Sequence, residues 1–327
     1  MIDRRTLLGS AGAVLVPAMS PWRVQAQGRP AHIGYISLRP GPNEFEQAFL
    51  RGLGERGWVE GKNLVVDFRW AAFDLQRVAA MVAELLALQP ALMVVPDGLN
   101  TTIGLIKSQN PAMPIVAPAF GDPIAQGLTT SLARPSGNVT GSSVFALELA
   151  QKRLELLKEA VPGLRRAAAL YSAAGGAPSR GVVVSVASGK PLGIEVVEMP
   201  VVLPQGIDAA FAAAGRQGVQ GVAIVSSTVT IAHRAPLCEI SLAHRLPTIF
   251  SNRTYLRAGG LMSYGPDLEG VFQRAAYFVD RILKGAKPID LPIEQPTTFQ
   301  LVLNQGTAKV LGMRFPQSLL LRADEVI

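Results

Sequence analysis

The sequence predicts an α/β protein of two lobes, each built on a parallel sheet with helices on both faces. Strand-length apolar runs alternate with helix-length amphipathic segments along nearly the whole chain, which is the pattern of doubly wound sheets. The chain has 327 residues, of which 49% are hydrophobic and only 17% charged. It is therefore long enough for two domains and too apolar to be disordered.

The first series of elements ends near residue 144. Its strands are predicted at His32–Ile36, Leu64–Arg69, Leu92–Val95, Ile115–Ala119 and Val139–Val144. Its helices are predicted at Asn43–Arg56, Leu75–Leu88, Ile103–Gln109 and, as a short one, Ile124–Leu132. The short helix is expected because Asp122 can cap it and Pro123 suits its first position.

A second series of similar length follows. Its helices are predicted at Leu147–Val161, Arg180–Gly189, Ile207–Arg216 and Ile231–Arg245. Its strands are predicted at Ala167–Tyr171, Ile194–Met199, Val222–Ser226 and Thr248–Phe250. The glycine-rich segment Gly175–Gly181 fits no phosphate-binding spacing and is interpreted as a loop.

The C-terminal part should pass between the lobes twice more. Gly259–Gly265 is predicted to lead back to the first lobe, and Pro288–Pro296 to form a third crossing. The remaining elements are predicted as the helix Val271–Leu283, the strand Thr298–Leu303 and the helix Gln305–Leu311. The first lobe is then residues 31–141 with 265–287, and the second is residues 142–264 with 288–327.

Residues 1–26 have the features of a cleaved export signal. Arg4 and Arg5 precede an apolar stretch, Leu7–Met19, that is too short to span a bilayer, and Val24–Ala26 supplies small residues for a peptidase. The paired arginines resemble a twin-arginine signal that lacks the preferred Phe and trailing Lys, so the export route stays open. A mature chain that starts at Gln27 in the periplasm is expected.

The charge distribution disfavours nucleic acid as a partner. The formal charge is +7 and the sequence pI is near 9.8, but Arg and Lys are scattered, with no basic run longer than a pair. The single cysteine, Cys238, allows neither an intramolecular disulfide nor a cysteine-based metal site. It lies in an apolar helical pattern and is expected to be a buried thiol.

Small polar and aromatic residues stand at the predicted carboxyl ends of the strands, where ligands bind in open parallel sheets. These residues are Ser37, Asp97, Gly98, Phe120, Asp122, Tyr171, Ser226, Ser227 and Ser251. Taken singly they fit ordinary helix caps and turns equally well; as a set they predict a cleft for a small polar molecule. Asp122 could bind an ammonium group of a ligand, and the helix N-terminus at Asn100–Thr102 could bind a carboxylate. Together they weakly favour an amino-acid-like solute.

Signatures of catalysis are sparse. The sequence has no His-Glu-x-x-His, Gly-x-Ser-x-Gly or Walker motif, and its three histidines do not suggest a metal site. No cofactor is predicted. One alternative stays open, an exported hydrolase that uses Ser226 or Ser227 with His233. A second alternative is a ligand-binding partner of a signalling protein.

Three stretches carry a family resemblance. GDPIAQGLTTSLARPSGNVTG, LELLKEAVPGLRRAAALY and the C-terminal run from GGLMSYGPDLEGVFQRAAYFVDRILKGAKP onward resemble the ABC transporter substrate-binding proteins related to bacterial tryptophan/tyrosine-binding proteins. The resemblance covers Ala31–Ile327. It implies a type I periplasmic-binding-protein fold, with two lobes joined by three crossings and a ligand in the cleft.

The resemblance also implies a function and further site residues. The protein would be a non-enzymatic, monomeric receptor that binds a small molecule, such as an amino acid or aromatic solute, and delivers it to an ABC permease in the inner membrane. Position by position, the resemblance points to Asp122, to Ser142 and Ser143 at the first crossing, and to Tyr264 near the hinge.

Overall fold

The computed structural model describes residues 29–144, 148–173 and 180–327. The predicted export signal and residues 175–179 of the predicted glycine-rich loop lie outside the described residues. Within the described ranges, no helix combines the length and apolar character needed to cross a membrane.

The first sheet has five parallel strands in the order β2-β1-β3-β4-β5. Its strands are β1 (Ala31–Ser37), β2 (Leu64–Trp70), β3 (Leu92–Val94), β4 (Ile115–Phe120) and β5 (Val139–Ser143). The helices between them are α1 (Glu44–Gly54), α2 (Leu75–Ala87) and α3 (Asn100–Gln109). Alternate strand residues feed two separate apolar clusters, one against each layer of helices, so the sheet is buried on both faces.

The second sheet has seven strands in the order β12-β11-β10-β9-β8-β6-β7. Its strands are β6 (Arg166–Ser172), β7 (Glu195–Val201), β8 (Gly221–Ile224), β9 (Thr248–Phe250), β10 (Met262–Pro266), β11 (Phe299–Leu303) and β12 (Glu325–Val326). The helices of this half of the chain are α4 (Glu148–Ala160), α5 (Arg180–Ala187), α6 (Ile207–Arg216), α7 (Thr228–Ala232) and α8 (Arg234–Ala243), then α9 (Leu268–Leu283), α10 (Gln305–Val310) and α11 (Gln317–Leu320). The helix α9 packs back on α1 of the first lobe.

The two-lobed α/β class is confirmed, with one correction to the prediction that every strand pair is parallel. Strands β10 and β11 are antiparallel, and Pro266 at the end of β10 pairs with Phe299 at the start of β11. The chain leaves the second sheet and returns to it at the same end, so β11 must run opposite to β10. The short strand β12 and the helix α11 were not predicted, and neither was β10, because Gly259–Gly265 was predicted only as a segment that leads back to the first lobe.

Three segments connect the lobes: β5 to α4, β10 to α9, and α9 to β11. The third runs beside the first, because the Ser143 N–H donates to the Glu294 carbonyl (2.8 Å) and the Glu294 N–H donates to that of Gly141 (2.9 Å). The predicted lobe boundaries after residues 141 and 264 fall inside β5 and β10, two residues before each strand ends.

Two predicted helices differ from the structure. Ile124–Leu132 forms a series of turns instead of a helix, and Gly127 within it takes a positive φ of 69°. The segment predicted as Ile231–Arg245 is two helices, α7 and α8, which meet at His233. Pro236, in the first turn of α8, has no N–H to continue a hydrogen-bond ladder from α7.

The close pairing of β4 and β5 depends on Gly141. Its φ is 141°, and a Cβ there would lie 1.9 Å from the Ala117 carbonyl oxygen. We expect Gly141→Ala to lower the free energy of unfolding by about 2–4 kcal/mol, because both the backbone strain and the clash fall on the first sheet. Chemical denaturation measures the change. The control is Gly104→Ala on the exposed face of α3, where a Cβ meets nothing within 4 Å. A stable Gly141→Ala variant would contradict this account of the strand pair.

Cys238 is buried as predicted, with 1% of its surface exposed. Burial raises the pKa of its thiol to about 12, so at pH 8 only about one molecule in ten thousand carries a thiolate. We expect no reaction of the native protein with Ellman's reagent at pH 8, and one thiol per chain after unfolding in guanidinium. Fast labelling of the native protein would show that α8 opens readily.

Candidate functional site

A cavity of about 730 Å³ lies between the lobes, at the carboxyl ends of strands from both sheets. The first lobe contributes the loops that follow β1, β3 and β4, and the second contributes the loop after β8 together with α4 and α5. Six predicted site residues line it: Asp97, Gly98, Phe120, Asp122, Ser226 and Ser227. The topology therefore brings together residues that lie up to 130 positions apart in sequence.

Asp97 joins the two lobes at the cavity wall. Its Oδ2 accepts hydrogen bonds from the hydroxyl of Ser37, the last residue of β1 (3.0 Å), and from the N–H of Leu38, directly after it (2.7 Å). Its Oδ1 accepts one from the hydroxyl of Thr228, at the start of α7 in the second lobe (3.0 Å). Ser37 is thus buried behind Asp97 and is not itself among the lining residues.

Asp122 makes a second polar contact between the lobes. Its Oδ1 accepts a hydrogen bond from the Ala125 N–H (3.0 Å), and its Oδ2 pairs with a guanidinium nitrogen of Arg180 on α5 (2.7 Å). The carboxylate that was expected to meet a ligand's ammonium group therefore already has a cationic partner.

Other pairs hold the lobes together outside the cavity. Glu44 on α1 pairs with Arg234 on α8 (3.2 Å), and Glu269 on α9 pairs with Arg257 of the second lobe (2.6 Å). An apolar cluster also spans the junction, with Phe45 of α1 packed among side chains of the second lobe. The structure has its two lobes in direct contact around the cavity.

Ser142 and Ser143 do not line the main cavity. Ser142 lies at a smaller one, of about 260 Å³, between the crossing segments, where Asp267 and Arg274 also lie. The Ser143 hydroxyl donates to the Gly121 carbonyl (2.9 Å) and so supports the loop after β4.

Three further predicted residues also lie away from the cavity lining. The Tyr171 hydroxyl donates to Glu198 on β7 (3.0 Å), and Ser251 is buried after β9, where its hydroxyl accepts a hydrogen bond from the Asn252 side chain. Tyr264 offers its backbone carbonyl, not its ring, to Arg153 (2.8 Å).

Three arginines of the cavity, Arg39, Arg153 and Arg180, were missed. Arg39 follows β1 by two residues and is 4% exposed, whereas Arg153 lies on α4, where a helix was predicted but no site residue. A charged residue just after a buried strand is a weak signal for Arg39. The sequence of α4 contains no signal for Arg153, because Lys152 beside it is equally basic and only the packing of the lobes separates their environments.

The serine–histidine alternative has no supporting contact. The Ser227 hydroxyl accepts from the Thr230 N–H (3.1 Å) as the cap of α7, and the His233 Nδ1 lies 2.9 Å from the Val229 carbonyl. In the described part of the chain, no hydrogen bond joins Ser226 or Ser227 to His233. The described residues as a whole also contain no group of three or more His, Cys, Asp or Glu side chains placed to hold a metal ion.

Two α/β lobes around a cavity at their facing strand ends define the class of two-lobed solute-binding proteins. A family model, described as ABC transporter substrate binding protein, matches residues 36–327, and the chain belongs to that family. The tyrosine-binding protein of Clostridioides difficile (strain R20291) is 24% identical over 284 residues, which cover 86% of this chain and 80% of that protein.

Solved structures show the same likeness. An ABC domain in complex with L-Trp from Streptococcus pneumoniae superposes with a TM-score of 0.82 at 26% identity, over 91% of this chain and 100% of that one. The ligand-free, open structure of a substrate-binding protein with adhesive properties from Clostridium difficile gives a TM-score of 0.65 at 20% identity. The match covers 91% of this chain and 99% of that one. A solute-binding protein of Agrobacterium vitis with bound allitol gives 0.60 at 12% identity, over 86% and 98%, and shares the fold alone.

The hydrogen bond from Thr228 to Asp97 should favour the closed arrangement. Removing it with Thr228→Val takes away one bond to a charged group, worth roughly 1–3 kcal/mol, without disturbing either sheet. We expect a larger radius of gyration for the ligand-free variant in small-angle X-ray scattering. The control is Thr130→Val, a change at an exposed threonine of the first lobe that does not line the cavity. Superimposable scattering from Thr228→Val and the wild type would contradict this role.

Proposed function

We propose that this protein is the exported solute receptor of an ABC importer, which holds a small molecule between its lobes and presents its closed form to an inner-membrane permease. The observation that carries the proposal is the cavity of about 730 Å³ that both lobes line. Its volume lies in the range of roughly 300–1,000 Å³ that small organic ligands occupy in proteins.

The relatives support this class of ligand. Tyrosine and L-Trp are the molecules named for the relatives with 24% and 26% identity, and both are small molecules with an aromatic body. The cavity of this chain presents Phe45, Phe120 and Phe272 together with aliphatic side chains of both lobes. Such a lining suits an apolar body, with a few polar groups to orient it.

Binding, not catalysis, is the role that the contacts favour. The polar groups expected of a hydrolase are used in capping α7 and in bonds to the backbone. The polar contacts that cross the cavity instead join one lobe to the other, at Thr228–Asp97 and Arg180–Asp122. A ligand that adds contacts to both walls stabilises the closed form over the open one, which is the signal a permease needs.

Export and the boundaries of the mature protein complete the proposal. Residues 1–26 act as the signal, and the mature chain, a monomer without a nucleic-acid partner, starts at Gln27 in the periplasm. The first lobe is residues 31–141 with 265–287 and the second is residues 142–264 with 288–327, as the sequence predicts.

The test uses the mature chain purified gently from the periplasm of its own host. Native mass spectrometry should show a small molecule that leaves on mild activation, and the intact mass of the unloaded chain should start at Gln27. The loaded protein should then stimulate ATP hydrolysis by its permease in proteoliposomes, while the emptied protein does so only weakly.

A chain that carries no small molecule and gains no thermal stability from amino acids, aromatic acids or sugar alcohols would refute the receptor function. Turnover of an ester or amide substrate that is lost in His233→Ala would support the hydrolase instead.

A further inference from the structure

Arg39 is held as a rigid cationic group at the cavity wall. Its Nη2 pairs with the Glu46 carboxylate, and its Nε donates to the Ser37 hydroxyl (3.3 Å). Glu46 is itself fixed, because it also accepts hydrogen bonds from the Tyr35 hydroxyl and the Asn43 N–H. Arg39 therefore has little freedom to turn away.

The second guanidinium nitrogen of Arg39 is unused. Nη1 is buried and has no hydrogen-bond partner among the described residues, and Arg39 is only 4% exposed while it lines the cavity. An unpaired cationic N–H₂ group is costly to bury, so this atom calls for an acceptor that the protein does not supply.

Arg153 faces the same cavity from the second lobe. Its Nε donates to the Tyr264 carbonyl (2.8 Å), and it forms no ion pair with the described carboxylates. Burial lowers the pKa of its guanidinium to about 10, so it is still a cation at neutral pH. The cavity thus has the buried guanidinium of Arg39 on one wall and the half-buried guanidinium of Arg153 on the other, and of these two only Arg39 is balanced by a neighbouring carboxylate.

The two acidic residues of the cavity are both engaged. Asp97 accepts three hydrogen bonds, and Asp122 is paired with Arg180. Among the buried side-chain acceptors of the described lining residues, the Oε1 of Gln126 has no hydrogen-bond partner, and this amide oxygen is neutral. A neutral amide suits a hydroxyl or N–H donor on the ligand, but it does not compensate the charge of an ammonium group.

We propose that the ligand is an organic anion, a monocarboxylate on an apolar body, whose carboxylate bridges Arg39 and Arg153 and which needs no ammonium group. This inference rests on the proposed receptor function and deepens it. The carboxylate of the ligand would supply the acceptor for the free nitrogen of Arg39 and the missing counter-charge for Arg153. The phenylalanines and aliphatic side chains of the lining then take the apolar body.

Matched ligands test the charge requirement. Calorimetric titration of the emptied mature chain compares 3-phenylpropanoate with phenylalanine, indole-3-propanoate with tryptophan, and 3-phenylpropanamide as the neutral form of the first acid. We expect each acid to bind at least about tenfold more tightly than its amino acid, and the amide to bind more weakly than the acid by a similar factor. An amino acid that binds as tightly as its deaminated acid overturns the inference, and so does an amide that matches the acid.

Matched variants test the residues. Arg153→Gln should weaken binding of the preferred acid about 10–100-fold and leave binding of the amide unchanged, since only a charge-assisted bond is lost. Lys152→Gln, next to it on α4, is the control and should bind the acid as the wild type does. Arg39→Gln should act like Arg153→Gln; because it also leaves Glu46 buried without its partner, Arg153→Gln decides the case if Arg39→Gln fails to fold. An unchanged affinity in Arg153→Gln overturns the inference.

The failure of this inference differs from the failure of the receptor function. A co-purified small molecule without an acid group overturns the ligand class and leaves the receptor function intact. The same holds if some other solute is transported while aryl and branched-alkyl monocarboxylates all fail to bind at about 1 mM. A chain that is empty on isolation and stabilised by no solute of any class removes both.

Discussion

The functional architecture depends on one constraint, which is that all three crossings lie at the same ends of the two sheets. Strand β5 ends at the first crossing, β10 ends at the second, and the third runs hydrogen-bonded beside β5 before it enters β11. The carboxyl ends of the parallel strands must therefore face one another. Because loops and helix N-termini follow those ends, the polar groups of both lobes converge on a single cavity.

Much of the fold could be predicted, because local periodicity determines it. Strands that are buried on both faces, such as β4 and β6, read as continuous apolar runs, and the amphipathic helices between them are equally distinct. The wrongly predicted elements lie where the local conformational preference of the sequence and the tertiary contacts favour different structures. Ile124–Leu132 carries good capping residues at its start, yet Gly127 and the contacts of Asp122 with α5 favour turns. The direction of β11 depends on where the chain re-enters the sheet, which no local pattern encodes.

The positions of many cavity residues could be predicted, but the charged groups of the cavity and their partners could not. Residues at strand ends, such as Asp97, Phe120 and Ser226, line the cavity because topology alone places them there. Their chemistry depends on partners from the other lobe, so neither the Arg180–Asp122 pair nor the bond from Thr228 to Asp97 could be anticipated. Arg153 shows the same limit, since its helix face is wet or enclosed only according to how the second lobe meets the first.

The buried group of Tyr35, Glu46 and Arg39 connects the fold to closure. Burial and the Glu46 carboxylate raise the pKa of Tyr35, so its hydroxyl stays a donor. Burial lowers the pKa of Arg39, but Glu46, Tyr35 and Asp97 together raise it by more, so the net shift is upward. Removing such a pair from water is costly, and an unsatisfied buried N–H adds roughly 1–3 kcal/mol. In the receptor proposed above, an open form that admits water to Nη1 would relieve that cost, and an acceptor on the ligand would relieve it in the closed form. A cost of that size corresponds to a shift of roughly 5–150-fold in an equilibrium between open and closed forms. A complete switch between the two forms needs about 10⁴-fold, so the remaining ligand contacts would have to supply the rest.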